Sequence, residues 1–469
     1  MRALLFLTFI VSSVAIAADK PNVLFIAVDD LKPLLGCYGD PMVKSPEIDR
    51  LAARGTVFTK SYCQWPVCGP TRASLMTSLR PEAVGVIDLK TDLRAKNPQV
   101  LTLPQYFMAN GYATAGCGKI YDPRCVDNKR DCDTPSWSLP FITPRVEGGE
   151  SGVGESGDGA AVVGAPECDD EAQMDGQIAL AGVSLLKKLA ADKSKPFFLA
   201  VGFKKPHLPF VAPKKYWDLY RREQFVLAPY QGGIRNDSGY VLHDSPEFRS
   251  YGGVPKQGEI PAETQRECLH GYYACVSFID AQIGKLTRQL EALGLADNTL
   301  IVLWGDHGFH LGDHHMWGKH STLEAAARAP LIIVPAGGSA GHSNSTPVEF
   351  TDIFPTLCTL AKLPVPAQLQ GRTLEPLLMG KADSVREGAL TVFKSKGAMG
   401  YSYRTDRYRY TEWVNKFGKT IATDLFDYLT DPMEQNNMDP NEPDHSELVQ
   451  RLSAALRRDA QGCDRLFGK

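Results

Sequence analysis

Three near-continuous apolar runs set the frame for this chain: Asn22 to Val28, Pro196 to Gly202 and Thr299 to Trp304. Each stops abruptly in polar residues, at Asp29-Asp30, at Lys204-Lys205-Pro206-His207 and at Gly305-Asp306-His307. Runs of that length without polar alternation suit strands buried on both faces. Helical patterns lie between them, at Gln177 to Leu189 and at Tyr272 to Leu293, where Leu286, Leu290 and Leu293 share a face. Alternating strand and helix predicts an α/β fold with a largely parallel or mixed central sheet. In such sheets ligands bind beyond the carboxyl ends of the strands. Asp29, Asp30, His207, Asp306 and His307 are therefore expected to converge.

The rest of the chain follows from texture. Gly148 to Gly164 is rich in Gly, Ser and Ala and reads as a long surface loop. Past about Gly380 come short aromatic and charged runs, Tyr401 to Arg404 and Tyr408 to Trp413, whose period-two alternation predicts antiparallel strands. A closing helix is expected near Glu447 to Arg458.

Met1-Arg2, an apolar run from Ala3 to Val11 and Ala15-Ile16-Ala17 form a secretory leader pattern with cleavage after Ala17. That run is well short of the roughly 20 residues needed to span a bilayer, so no membrane span is expected and the protein reads as exported, periplasmic or secreted. Eleven cysteines in an exported chain make disulfides plausible, with Cys63–Cys68 and Cys125–Cys132 the pairings nearest in sequence. A net charge of −3 supplies no basic field for nucleic acid, so an anionic substrate must be met by a few placed cations.

The most informative stretch is Cys68-Gly69-Pro70-Thr71-Arg72, continued by Ala73-Ser74-Leu75-Met76-Thr77-Ser78-Leu79-Arg80-Pro81. It resembles the signature of the sulfatase family, in which the Cys of C-x-P-x-R becomes formylglycine. Further matches follow in order: Asn22 to Asp30, Gly116-Cys117-Gly118-Lys119, Lys204 to Phe210, Gly305 to His314, and Leu425-Phe426-Asp427 with Asp431-Pro432-x-Glu434-x-x-Asn437. Within the family the chain is most similar to the iduronate-2-sulfatase branch, through Leu35 to Asp40, Pro104 to Phe107 and Met399 to Thr405.

The resemblance implies an alkaline-phosphatase-like fold: a leader at 1–17, a catalytic domain at 18–380, and a smaller C-terminal α+β subdomain at 381–469. It implies sulfate ester hydrolysis on sulfated glycans, with a formylglycine-generating enzyme maturing Cys68. Asp29, Asp30, Asp306, His307 and the modified Cys68 would hold a divalent cation. Three carboxylates suit calcium, and the imidazole leaves room for manganese or magnesium. Arg72 and Lys119 would hold the formylglycine hydroxyls, Lys119 and Lys319 would neutralise sulfate oxygens, and His207 would protonate the departing sugar oxygen. His310, His314 and His315 are read as structural.

The chain departs from that branch where a histidine is usual three residues after the lysine: it has Asp122. Phe309 and His320 also differ and are read as neighbours of the sugar. Two other functions fit parts of the pattern. A phosphonate monoester or phosphodiester hydrolase shares the nucleophile motif, and a glycan-binding protein on an inactive scaffold would leave Cys68 a thiol or pair it with Cys63.

Overall fold

The computed structural model describes residues 20–127, 132–146, 159–439 and 442–468. The leader at 1–17 and most of the Gly148–Gly164 segment lie outside the described residues.

The central sheet uses β1 (Asn22–Val28), β2 (Thr56–Phe58), β3 (Ala113–Gly118), β4 (Phe197–Phe203), β5 (Thr299–Gly305), β6 (Leu331–Val334) and β7 (His342–Asn344). Its order is β7-β2-β6-β5-β1-β4-β3. The four strands from β5 to β3 are mutually parallel, whereas β6 runs antiparallel to both β5 and β2. The mixed sheet expected from the apolar runs is therefore what forms.

Strand β1 shows why such runs lack polar alternation. Leu24, Ile26 and Val28 pack into the core on one face, and Val23, Phe25 and Ala27 into the core on the other. Helix α1 (Cys68–Thr77) adds Ala73, Leu75 and Met76 to the second core. The first core is completed by α2 (Met174–Ala191) and by the 31-residue α4 (Ala262–Ala292); a short helix, α3 (Pro246–Ser250), precedes α4.

A separate four-stranded antiparallel sheet follows in chain order: β8 (Gly388–Ser395), β9 (Ala398–Thr405), β10 (Tyr408–Val414) and β11 (Thr420–Asp427). Helix α5 (Ser446–Asp459) covers it, and Leu452 and Leu456 pack with Leu390, Tyr401 and Tyr403. This sheet grips the segment leading into α1. Trp65 and Val67 join its apolar cluster, the Val392 amide donates to the Gln64 carbonyl at 2.8 Å, and Thr391 Oγ1 donates to the Cys63 carbonyl at 2.7 Å. Arg409, fully buried, pairs with Glu324 at 2.6 Å and Glu434 at 2.9 Å, tying the two sheets' regions together.

Two expectations need correction. Where the Gly148–Gly164 loop re-enters the described chain, Val163–Gly164 pairs in parallel with Phe210–Val211 and Val162 is buried, because adjacent valines find an apolar place in the core. All eleven cysteines are free thiols. Cys63 Sγ points to the Ala326 carbonyl at 4.0 Å and Cys125 Sγ to the Asp88 carbonyl at 3.5 Å, so proximity in sequence does not become proximity of sulfurs.

The ends of β3 and β4 meet through two glycines. Gly118 and Gly202 are register partners, and Lys119 N donates to Gly202 O at 2.7 Å. A Cβ on Gly202 would lie 2.1 Å from the Lys119 carbonyl oxygen. Gly202→Ala is thus expected to destabilise the protein by about 2–3 kcal/mol, since backbone and not a flexible side chain must give way. Thermal unfolding measures this; an unchanged Tm contradicts the close approach.

Candidate active site

The strand ends deliver the acidic residues. Beyond β1, the Asp29 amide donates to Phe203 O of β4 at 3.2 Å, and beyond β5 the Asp306 amide donates to Val28 O at 3.1 Å. Asp30 is left-handed, with φ 56°, a strained conformation for a non-glycine residue that the surrounding bonds impose. Its amide donates to Asp306 Oδ1 at 3.0 Å, and its carbonyl accepts from Tyr272 Oη at 2.7 Å. Asp29, Asp30, Asp306 and His307 are all buried.

The cations lie around them. Arg72, one turn into α1, is fully buried: Nε donates to Asp306 Oδ2 at 2.9 Å, Nη2 to Asp29 Oδ1 at 3.3 Å, and Nη1 to the Lys119 and Ile120 carbonyls. Lys119 Nζ meets Asp29 Oδ2 at 2.5 Å. Lys319 Nζ sits 2.9 and 3.0 Å from the two Asp30 oxygens and 3.9 Å from Cys68 Sγ. Burial alone would raise the Asp29 carboxyl, but Lys119, His207 and Arg72 together hold it well below the usual range. Burial, with Asp29 beside it, pushes the Cys68 thiol well above its ordinary value, so as a plain thiol it stays protonated.

Two sets of potential ligand atoms fall within 4.8 Å of one another: Asp29, Asp30, Cys68 and His207, and Asp29, Cys68, Asp306 and His307. His307 makes the stronger case for a cation. Its Nδ1 lies 3.0 Å from the Gly308 carbonyl, which can only accept, so Nδ1 carries the proton. Nε2 has no hydrogen-bond partner and faces Asp30 Oδ1 at 3.3 Å and Asp306 Oδ1 at 3.6 Å, and in the neutral ring, the form that binds metal, it presents a lone pair to them. A lone pair set against two carboxylate oxygens is repulsive until a cation lies between them, and the donor set fits a hard divalent ion.

His207 closes the cavity side. Its Nδ1–H donates to the Leu208 carbonyl at 2.7 Å, and Nε2 lies 3.3 Å from Glu247 Oε1 and 3.9 Å from Asp30 Oδ2. Burial and Lys319 lower its pKa, but Asp30, Asp29 and Glu247 outweigh them and raise it. Glu247, in the first turn of α3, also reaches Lys319 Nζ at 3.5 Å. Sequence reasoning missed this residue. Ser245-Pro246-Glu247 reads only as a helix start, and nothing in its spacing marks a carboxylate that links His207 to Lys319.

The structure thus brings together Cys68, Arg72, Lys119, His207, Lys319, Asp29, Asp30, Asp306 and His307. Of the two residues read as sugar neighbours, Phe309 is turned away into the core, whereas His320 is only partly buried and lies close enough to Lys319 and Glu247 to feel their charges. Phe309 is fully buried against Phe210 and Tyr272, and His320 packs beside His243 and Phe393. Gly308 explains the first: a Cβ there would lie 2.1 Å from the Ala325 carbonyl oxygen, and the tight turn sends the next side chain inward. His310 is held by Asp313 and Ser321.

Residues 21–363 match the family model described as Sulfatase, and residues 312–461 that of the N-sulphoglucosamine sulphohydrolase C-terminal region. The chain is 32% identical to iduronate 2-sulfatase of Mus musculus, covering 93% of this chain and 94% of that protein. It is 31% identical to a sulfatase of Formosa agariphila, covering 93% of this chain and 86% of the relative. The crystal structure of phosphonate monoester hydrolase of Agrobacterium radiobacter matches with a TM-score of 0.77 at 24% identity, over 94% of this chain and 96% of that one, a likeness of fold.

Proposed function

The chain belongs to the sulfatase family and hydrolyses sulfate esters, and from that premise we propose that it desulfates sulfated glycans, sulfated uronate units among them, through formylglycine made from Cys68. The observation that carries this reading is the position of Cys68 at the start of α1, buried, with Lys319 Nζ 3.9 Å from its sulfur and Asp29, Asp306 and His307 clustered beside it.

A sulfate ester spreads its negative charge over terminal oxygens that repel a nucleophile, so cations must meet those oxygens. In this reading Lys119 and Lys319 meet them. A divalent cation, which we take to be calcium, would be held by Asp29, Asp30, Asp306 and His307 and would add positive charge where an attacking hydroxyl must ionise. Formylglycine supplies, as its hydrate, one hydroxyl to attack sulfur and another whose proton loss expels sulfate, an exit that serine lacks. Arg72 fixes the facing carboxylates of Asp29 and Asp306 from below. His207, whose pKa the neighbouring carboxylates raise, would carry a proton at Nε2 and pass it to the departing sugar oxygen.

No helix among the described residues is long and apolar enough to cross a membrane. The leader-like start supports export to the periplasm or beyond, where sulfated polysaccharides are met.

The test is a panel of heparin-derived, chondroitin-derived and algal oligosaccharides, run with an aryl sulfate and an aryl phosphonate on protein made in a host with the maturation system. Sulfate release from at least one glycan, and faster cleavage of aryl sulfate than of aryl phosphonate, are expected. Activity on no sulfated glycan overturns the substrate class, and a preference for phosphonate overturns the reaction.

A further inference from the structure

We propose that Arg124, held by Asp122, is an oxyanion receptor beside the sulfate site, so that the preferred substrates are sulfate esters whose sugar carries a second anionic group. The inference rests on the sulfatase reading above and specifies the substrate of that same site.

A cavity of about 390 Å³ runs from Asp29, Lys119 and His207 to Asp122, Arg124 and Thr143. Asp122 stands at its wall with a fully buried side chain, whereas the Arg124 side chain is 47% exposed. Arg124 Nε donates to Asp122 Oδ1 at 2.9 Å and Nη2 to Oδ2 at 2.7 Å, and the Arg124 amide donates to Oδ1 at 3.0 Å. The turn carrying them packs on the residue after Cys68: a Cβ on Gly69 would lie 2.6 Å from Cys125 Sγ and 3.6 Å from Asp122 Cβ.

This geometry resolves an apparent conflict. A bare carboxylate this close to the sulfate site would repel an anionic substrate, but both of its oxygens are taken by Arg124. The guanidinium in turn uses only its Nε–Nη2 edge. Nη1 makes no hydrogen bond among the described residues, so the Nη1–Nη2 edge remains for a second oxyanion in the bidentate geometry that guanidinium favours. Held by two bonds to a buried anchor, the fork loses little freedom when it binds. Lys205 is not an alternative receptor, because its Nζ is taken by the His207 and Pro209 carbonyls at 3.1 and 2.9 Å. The second oxyanion is a carboxylate on a sulfated uronate or a second sulfate on a sulfated hexosamine.

Matched substrates distinguish these sources. One pair is a sulfated uronate disaccharide with its carboxylate free or converted to the amide. The other is an O-sulfated hexosamine carrying N-sulfate or N-acetyl. In each pair the reacting ester is the same, so the ratio of kcat/KM reports the second anion alone. Wild type is expected to prefer the anionic member of at least one pair, and that pair identifies carboxylate or sulfate. Arg124→Gln should lower the preference about 10–100-fold, mainly through KM, the usual cost of losing a charged hydrogen-bond partner. Arg124→Lys should restore only part of it, since the charge returns without the fork. An equal fall for both members of the preferred pair, or a preference kept within about threefold in Arg124→Gln, overturns the receptor. Wild type that cleaves both members of both pairs equally well overturns the receptor and leaves the sulfatase reading intact, whereas cleavage of no sulfate ester overturns both.

Discussion

Replacing Cys68 with alanine abolishes sulfate ester turnover, lowering kcat by about 10⁴-fold or more, as loss of a covalent nucleophile does elsewhere. The fold survives, because only one small buried side chain is trimmed, at a cost of about 1–2 kcal/mol. Cys68→Ser separates two ideas that alanine cannot. A serine hydroxyl in that position can be sulfated but has no second hydroxyl to expel the group, so at most one turnover per molecule is expected. Pre-steady-state sulfate or alcohol release measures this. Sustained multiple turnover by either variant would remove residue 68 from the chemistry.

Chelation of the proposed divalent cation and Asp306→Asn are expected to have the next largest effect, lowering kcat by about 10³-fold. A second readout does not depend on turnover. Without an ion, the buried carboxylates of Asp29, Asp30 and Asp306 crowd together around the His307 ring, balanced by Arg72, Lys119, Lys319 and His207. Adding calcium to metal-free protein should therefore raise Tm, since a ligand that binds only the folded state stabilises it. In Asp306→Asn that rise should largely vanish. A rise of equal size in wild type and variant would show that calcium binds elsewhere.

Much of the frame was legible because its causes are local. The runs Asn22 to Val28, Pro196 to Gly202 and Thr299 to Trp304 become parallel strands since each must bury both faces, and their polar ends meet because parallel strands end on one edge. The period-two stretches at Tyr401 and Tyr408 become paired antiparallel strands for the same kind of reason. The motif around Cys68 was legible through resemblance, and the structure adds what holds it: Thr391 and Val392 gripping Cys63 and Gln64 from a sheet far along the chain.

What sequence could not show depends on direction and on distant partners. Glu247 belongs to the site only because a five-residue helix aims it between His207 and Lys319. Phe309 lies two residues after a proposed metal ligand yet faces the core, because the backbone turns at Gly308. Arg72 is a buried clamp on two carboxylates and two carbonyls, a role that its motif position does not reveal. Pairing of Asp122 with Arg124, two residues on, is one option that the sequence offers, but that one partner is buried and the other half exposed is a fact of tertiary structure.

The measurement closest to the centre of this mechanism is mass spectrometry of the peptide spanning Cys68, from protein made in a host with the maturation system and assayed as active. Formylglycine at position 68, in a fraction that tracks specific activity from one preparation to another, is the expected result. A fully active preparation in which position 68 is an unmodified thiol contradicts it.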